Sequence, residues 1–375
     1  MARPLHICHV LLSLRPGGLE NGVVNVVNGL DPAEFRSSVC CLREVGEFAV
    51  RLRDGVSITA LGFRSGNDLL LPLRLARLLR KWQVDIVHTR NAESFFYGAV
   101  AARLANVSAI HSEHGRTFPG KPVRAIAQRF LLRGVDAAFA VSEQLKRDLI
   151  RELGVRGDRF EVVYNGVDTS RFSPKRTAVA TGAHLRPLVI GSVGRLVSVK
   201  NYQLLLRAIA RLPADPPTRL LLVGDGPEKP ALARLAADLN LQDKVEFLGH
   251  REDVPQLLPE MDIFVLPSLS EGMSNTLLEA MAAGVTVAAS DVGGNREIIE
   301  PERSGLLFRN TDVIGAAEQL RRLVSDPGLR AELAQAAVAR VRRDFSINAM
   351  LERYESLYRR VWRQSHREPL DSAAF

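Results

Sequence analysis

Along this chain, short apolar runs closed by turn residues alternate with longer stretches in which apolar positions return every three or four residues. The short runs fit buried strands, and the 3.6-residue period fits helices with one face against a core. Residues 5–30 read as strand, glycine-containing loop and helix, and residues 188–212 repeat that plan with Gly191 and Gly194. Each looks like the opening unit of a doubly wound domain. Further strands are predicted at 38–42, 58–61, 86–88, 109–112, 137–141 and 161–163, then at 219–223, 245–248, 263–266, 286–289 and 305–308. Helical text separates them, and this alternation predicts α/β architecture with mainly parallel sheets and helices on both faces. Residues 171–186 lose the periodicity and hold Pro174 and Gly182, so they are the expected linker between a first domain, 1–170, and a second, 187–345. The closing segment, 346–375, contains a helical run with Tyr354, Leu357, Tyr358 and Val361 at helical spacing.

A length of 375 residues agrees with two cores rather than one. Lys and Arg outnumber Asp and Glu by 50 to 42, so the surface favours phosphates, nucleic acid or an anionic bilayer. Nucleic acid is set aside, because the chain shows no recognition motif for it and only 6% aromatic residues for stacking. Cys8, Cys40 and Cys41 lie in strand-like text without metal-ligand spacing, which suits a reducing compartment. The start runs straight into a strand pattern without an export signal, and no apolar run approaches the roughly 20 residues of a spanning helix. A cytoplasmic location follows as the expectation. Two basic helical runs, 69–81 with Arg74, Arg77 and Arg80, and 121–133 with Arg124 and Arg129, could rest peripherally on the inner face of a membrane. Taken singly, each run also fits a solvated helix face over a core.

The most informative stretch is Glu271-Gly272-Met273-Ser274-Asn275-Thr276-Leu277-Leu278-Glu279. Ser274 reads as a helix N-cap and Gly284 as the residue past the helix end. In that geometry Gly272, Met273, Ser274, Asn275 and Thr276 present backbone amides at the positive end of a helix, a ready site for a diphosphate. Glu271 before the helix and Glu279 inside it would flank the anion, one suited to sugar hydroxyls and the other to ribose. The competing reading is a capped surface helix with two unrelated acids. Gly224-Asp225-Gly226 does not complete a dinucleotide fingerprint, since Lys229 stands where the third glycine belongs, so no nicotinamide cofactor is expected. A clear Asp-x-Asp metal motif is also missing.

Two glutamates separated by seven residues in this setting resemble the signature of the retaining glycosyltransferases of family 4. Gly194-Arg195-Leu196 with Lys200, Val223 to Pro227, Asn165 to Asp168, Gly17 to Glu20, His114 and Val141-Ser142-Glu143 are similar to that family in its order. Residues 17–28, His88 to Asn91 and Glu113 to Arg116 further resemble sugar transferases of bacterial exopolysaccharide clusters. The resemblance implies the GT-B fold, two Rossmann-like domains facing across a cleft, with acceptor in the first and nucleotide sugar in the second. It implies a closing helix that bridges back to the first domain.

The same resemblance implies the site. Arg195 and Lys200 are the cations set against the leaving diphosphate, in place of a metal, and no cofactor is expected. His114 resembles the histidine near the anomeric carbon, and Glu271 positions the sugar while attack comes from the leaving-group face. Gly17 and Gly18 would let backbone approach the donor phosphate. Gly249, His250 and Arg251 are candidates for the base edge, without telling uridine from guanosine. The expected partners are a nucleotide sugar and a glycan or lipid-linked acceptor. A sugar-nucleotide epimerase or hydrolase, or a binding partner without turnover, would keep the same fold.

Overall fold

A computed structural model of the chain describes residues 3–64, 68–115, 122–172, 174 and 186–366. Arg116, Lys121 at the head of the second basic run, linker residues 175–185 and the tail 367–375 lie outside the described residues. The chain divides into two compact units, Met1–Asn165 with Asn348–Phe375, and Gly166–Ile347.

The first unit runs β1 (Leu5–Leu11), α1 (Gly18–Gly29), β2 (Phe35–Cys41), β3 (Ser57–Ala60), α2 (Leu71–Trp82), β4 (Ile86–Arg90), α3 (Asn91–Ala105), β5 (Ser108–Glu113), α4 (Pro122–Leu132), β6 (Ala137–Ala140), α5 (Glu143–Leu153) and β7 (Glu161–Val162). The second runs β8 (Leu188–Val193), α6 (Tyr202–Ile209), β9 (Thr218–Val223), α7 (Lys229–Asp238), β10 (Val245–Gly249), α8 (Val254–Leu257), β11 (Ile263–Leu266), α9 (Asn275–Ala282), β12 (Thr286–Ser290), α10 (Asn295–Ile298), β13 (Leu306–Phe308), α11 (Val313–Ser325) and α12 (Pro327–Asp344). A closing helix, α13 (Ile347–Ser365), lies almost wholly in the first unit.

The strand orders are β3-β2-β1-β4-β5-β6-β7 and β10-β9-β8-β11-β12-β13, so each sheet reverses direction beside its own first strand. Every pairing between these strands is parallel. Right-handed crossovers leaving β1 or β8 in opposite directions put helices on opposite faces of the sheet. They also open a crevice at the carboxyl ends of β1 and β4, and of β8 and β11, where such folds bind ligands.

The strands form because their apolar residues are covered on both faces. Ile190, Leu220, Leu222, Ile263 and Val265 of the second sheet are almost fully buried against Leu205, Leu206, Leu320 and Leu323 of the helices. In the first unit Cys8, Cys40 and Cys41 are free and buried, and desolvation pushes the Cys8 and Cys41 thiols up to about 12. Strands β4 and β5 outrun their sequence prediction with polar residues. β4 continues through Thr89 and Arg90, and β5 ends on Glu113, because these polar groups are buried and hydrogen-bonded to one another and to α13.

Passage from the first unit to the second falls at Asn165/Gly166, ahead of the boundary expected at residue 170. Val167 explains this: its N–H donates to the Phe345 carbonyl and its own carbonyl accepts from Ile347 N–H, so the segment is already pinned to the end of α12. Phe172 is buried as well.

Close backbone approach fixes the turn after β9. Gly224, at φ +134, lies so near the Gly194 carbonyl that a Cβ there would overlap it. We expect Gly224→Ala to destabilise the second unit by about 2–4 kcal/mol through strain and overlap. Gly22→Ala, inside α1 with open space around the added methyl, should instead stabilise by about 0.5–1 kcal/mol. Calorimetric unfolding of the two variants beside the parent checks both signs.

Candidate active site

In the second unit three loops leave the carboxyl ends of neighbouring strands and are laced together. The loop after β8 carries Arg195 and Lys200, and that after β11 carries Ser268 and Glu271. Leu269 N–H donates to the Val199 carbonyl at 2.8 Å. Asn310 braces both, its side chain donating to the Leu269 carbonyl at 3.1 Å while its own carbonyl accepts from Asn201 Nδ2 at 3.0 Å. This lacing brings Lys200 Nζ to Glu271 Oε1 at 2.6 Å, and Ser268 Oγ donates to the same oxygen at 2.6 Å. The side chains of Lys200 and Glu271 keep only 21% and 12% of their exposure.

Immediately beyond, Ser274 caps α9: its Oγ accepts from Leu277 N–H at 3.3 Å and meets Thr276 Oγ1 at 3.2 Å. Gly272, Met273, Ser274, Asn275 and Thr276 therefore lead into the positive end of the helix beside the ion pair, an environment that favours an anion. Glu279 lies inside α9, partly buried. Arg195 projects from the β8 loop, exposed and without an ion-pair partner among the described residues. A cation, a helix terminus and a lysine shared with a carboxylate suit a phosphate with neighbouring hydroxyls.

The third loop, after β12, escaped the sequence reading. Gly294 N–H donates to the Gly272 carbonyl at 3.1 Å, and Gly293, at φ +51, touches the Glu271 backbone so closely that a Cβ would overlap its carbonyl oxygen. Ser290 Oγ donates to the Ser268 carbonyl at 2.6 Å, and Asn295 Nδ2 to the Ser290 carbonyl at 3.0 Å. The Gly-Gly pair after a predicted strand was the available signal for this support.

Gly249 ends β10 at φ +67, its carbonyl accepting from Gly224 N–H at 2.7 Å, so it adjoins the turn that packs on Gly194. Arg251 is not directed at that turn by any bond; Asp253 holds its guanidinium at 2.8 and 2.6 Å, and His250 is exposed. Among the described residues no cluster of three His, Cys, Asp or Glu side chains is placed to hold a metal ion.

Gly17, Gly18 and His114 belong to the first unit. Gly17 is the N-cap of α1 and Gly18 its first residue. A Cβ at Gly17 would run into the Glu20 carboxylate, so the local reason for glycine here is room for an acid at the helix's own first turn. His114 follows β5, its N–H donating to Asn91 Oδ1 at 2.8 Å and its Nε2 meeting Ser112 Oγ at 3.0 Å. Desolvation, then the charges of Arg90 and His111, hold its pKa well below the usual histidine range. Buried behind it, His88 bonds Ser112 Oγ and Tyr358 Oη, while Arg90 bonds His9 and Tyr354. Sequence reasoning gave no role to Ser112, Arg90, Tyr354 or Tyr358 beyond motif text and helix spacing.

Comparison with known proteins agrees with this geometry. The model of glycosyltransferase family 4 matches residues 16–171, and that of glycosyl transferases group 1 matches residues 176–340. An Escherichia coli UDP-Gal:alpha-D-GlcNAc-diphosphoundecaprenol alpha-1,3-galactosyltransferase is 27% identical, over 94% of this chain and 96% of its own. A lipopolysaccharide core biosynthesis glycosyltransferase, LpsD, of Rhizobium meliloti is 28% identical over 92% and 95%. Among solved structures, Anabaena HepE in complex with UDP superposes with a TM-score of 0.83 at 21% identity, over 95% of this chain and all of its own. With the two family models matching most of both halves in order, the chain belongs to the family 4, group 1 glycosyltransferases and has their GT-B fold.

Proposed function

We propose that the chain transfers a sugar from a nucleoside diphosphate sugar to a glycan or lipid-linked acceptor, with retention at the anomeric carbon, in the synthesis of a cell-surface polysaccharide or exopolysaccharide. The observation that carries this reading is the Lys200–Glu271 pair at 2.6 Å beside the N-terminus of α9. A leaving diphosphate gains negative charge as the glycosidic bond breaks, and Lys200, Arg195 and the helix terminus supply positive charge where it develops. No metal is needed for that role. Glu271, freed from Lys200 by the phosphate, is then placed to accept from sugar hydroxyls, and Glu279 from the ribose. The resemblance assigns His114 to the sugar and Gly17 and Gly18 to the donor phosphate, and Gly249 and Arg251 are the candidates for the base.

The names of the relatives support this class of chemistry. The Escherichia coli protein is named for UDP-Gal and a diphosphoundecaprenol-linked acceptor, and HepE was solved with UDP-glucose as well as UDP. They favour UDP over GDP as the carrier here.

An acceptor on a lipid suggests work at the cytoplasmic face of a membrane, and the two basic runs differ in how far they are covered. α2 buries Leu71, Leu75, Ala76 and Leu79, while Arg74 pairs with Asp68 and Arg80 bonds the Leu104 carbonyl, leaving Leu69, Leu70 and Leu73 exposed at its start. α4 leaves Val123, Ile126 and Phe130 exposed along its length at 78%, 68% and 69%, among Arg124, Arg129 and Arg133. That combination fits an anionic bilayer. Among the described residues no helix is long and apolar enough to cross one.

A panel of UDP-glucose, UDP-galactose, UDP-N-acetylglucosamine and GDP-mannose, incubated with the protein in chelator, tests the reaction through release of nucleoside diphosphate. One donor should turn over, and Lys200→Ala should lower its kcat about 100-fold or more while moving donor Kd far less. Turnover that needs a divalent ion, or a loss confined to binding, would overturn the proposed role; a product not joined to acceptor would favour an epimerase or hydrolase.

Glu279→Ala should weaken UDP itself about tenfold in calorimetric titration, the scale of one hydrogen bond to a charged group. An unchanged Kd would make Glu279 structural. The paired change Ile126→Glu with Phe130→Glu should abolish cosedimentation with phosphatidylglycerol vesicles and leave donor hydrolysis intact. Retained cosedimentation would remove α4 from the membrane reading.

A further inference from the structure

Four hydrogen-bonding groups of the first unit form a path from the closing helix to His114. Tyr358 Oη lies 2.8 Å from His88 Nδ1, His88 Nε2 lies 3.1 Å from Ser112 Oγ, and Ser112 Oγ lies 3.0 Å from His114 Nε2. A neutral imidazole donates from one nitrogen and accepts at the other, so a proton placed at one end of such a path fixes every link. Tyr358 is that end. It is fully buried and has no other hydrogen-bond partner among the described residues. If its hydroxyl accepted from His88, its own proton would be left unpaired in the interior, which is unfavourable because its bond to water is lost and not replaced.

Tyr358 therefore donates to His88 Nδ1. His88 then carries its proton on Nε2 and donates to Ser112 Oγ, whose proton goes on to His114 Nε2. One competing geometry exists, since Ser112 Oγ also lies 3.4 Å from the Thr89 carbonyl, but the contact to His114 is the shorter by a clear margin.

We propose that Tyr358, His88 and Ser112 are positioning residues that hold His114 as a neutral imidazole with its proton on Nδ1, so that it meets substrate as a hydrogen-bond donor and not as a base. The proposal rests on the reading of His114 as a sugar-contacting residue, and it names the protonation state in which that contact is made. Nδ1 has no partner among the described residues, which leaves its N–H for an incoming oxygen.

The surroundings keep the path neutral. Arg90 of β4, 2% exposed, has no carboxylate partner among the described residues. Its charge adds to desolvation in holding His9 of β1, His88 and His114 well below the usual histidine range. On β5, Glu113 is taken up by His111 Nε2 at 3.0 Å and by Gln128 of α4 at 2.6 Å. From α13, Tyr354 bonds Arg90. Among the described residues bonded along this path, no acid is left to draw a proton onto His114.

The test is a long-range proton–nitrogen correlation spectrum of the full chain labelled with 15N-histidine, recorded without ligand, with His114 assigned by the loss of its signals in His114→Gln. The expected pattern has Nδ1 protonated and Nε2 bare, unchanged between about pH 6 and pH 8. Tyr358→Phe should shift that pattern toward Nε2–H. It should also lower kcat about tenfold at constant donor KM, the rate equivalent of one hydrogen bond. Ser112→Ala should do the same where Tyr358→Phe fails to fold. An Nε2–H tautomer in the parent protein, or a pattern and kcat unmoved in both variants, would overturn the proposal. Because the tautomer is read with no sugar nucleotide present, its failure is distinct from failure of the transferase reading.

Discussion

Lys200 and Glu271 stand 71 residues apart in sequence and meet at 2.6 Å with most of their surface out of water. Removing two charges from solvent is unfavourable, and their attraction offsets it only where geometry is tight and the remaining lone pairs are satisfied. The backbone around them supplies both conditions. Ser268 gives the third contact, and Asn310 and the Leu269–Val199 bond hold the two loops in register. Gly293 and Gly294 then let a third loop lie flat against the Glu271–Gly272 backbone. Those loops can meet at all because β8, β11 and β12 are neighbours in the sheet, with parallel carboxyl ends side by side. Topology, glycine placement and ion pair are thus successive consequences of one demand.

The first unit has the same strand order near its reversal point but answers burial differently. Its polar strand ends hold imidazoles, hydroxyls and a guanidinium, and the buried carboxylate, Glu113, is spent on His111 and Gln128. Arg90 is stabilised by hydrogen bonds and by the Tyr354 ring, whose centroid lies 5.2 Å from its guanidinium carbon. The result is a positive interior around Arg90 that, with desolvation, holds His9, His88 and His114 well below the usual histidine range. One unit therefore sets a lysine–carboxylate pair beside a helix terminus, and the other sets imidazoles beside a buried guanidinium.

Much of this was legible in the sequence where a side chain's partition between water and core decides the structure. β11 occupies the predicted residues, and the cap at Ser274 was visible because an N-cap works through residues three positions away. Legibility stopped where a contact joins distant segments. His88, Thr89 and Arg90 read as a strand end because they are polar, yet they are buried and paired with groups on β5 and α13. The brace on Ser268 from Ser290, 22 residues on, has no local signal. α2 and α4 show the same limit from the other side: both mix arginine with leucine-like residues, and only tertiary packing tells which apolar face is covered.

The closing helix carries this dependence furthest. Its apolar face, Met350, Leu351, Tyr354, Leu357, Tyr358 and Val361, was readable from spacing and is buried. The hydroxyls on that face reach partners more than 260 residues earlier, at Arg90 and His88. Without this helix Arg90 and His88 would lose both these bonds and the tyrosine rings packed against them. The strand ends beside His114 are therefore completed by a helix whose sequence signals packing and whose two tyrosines also bond the polar groups beneath it.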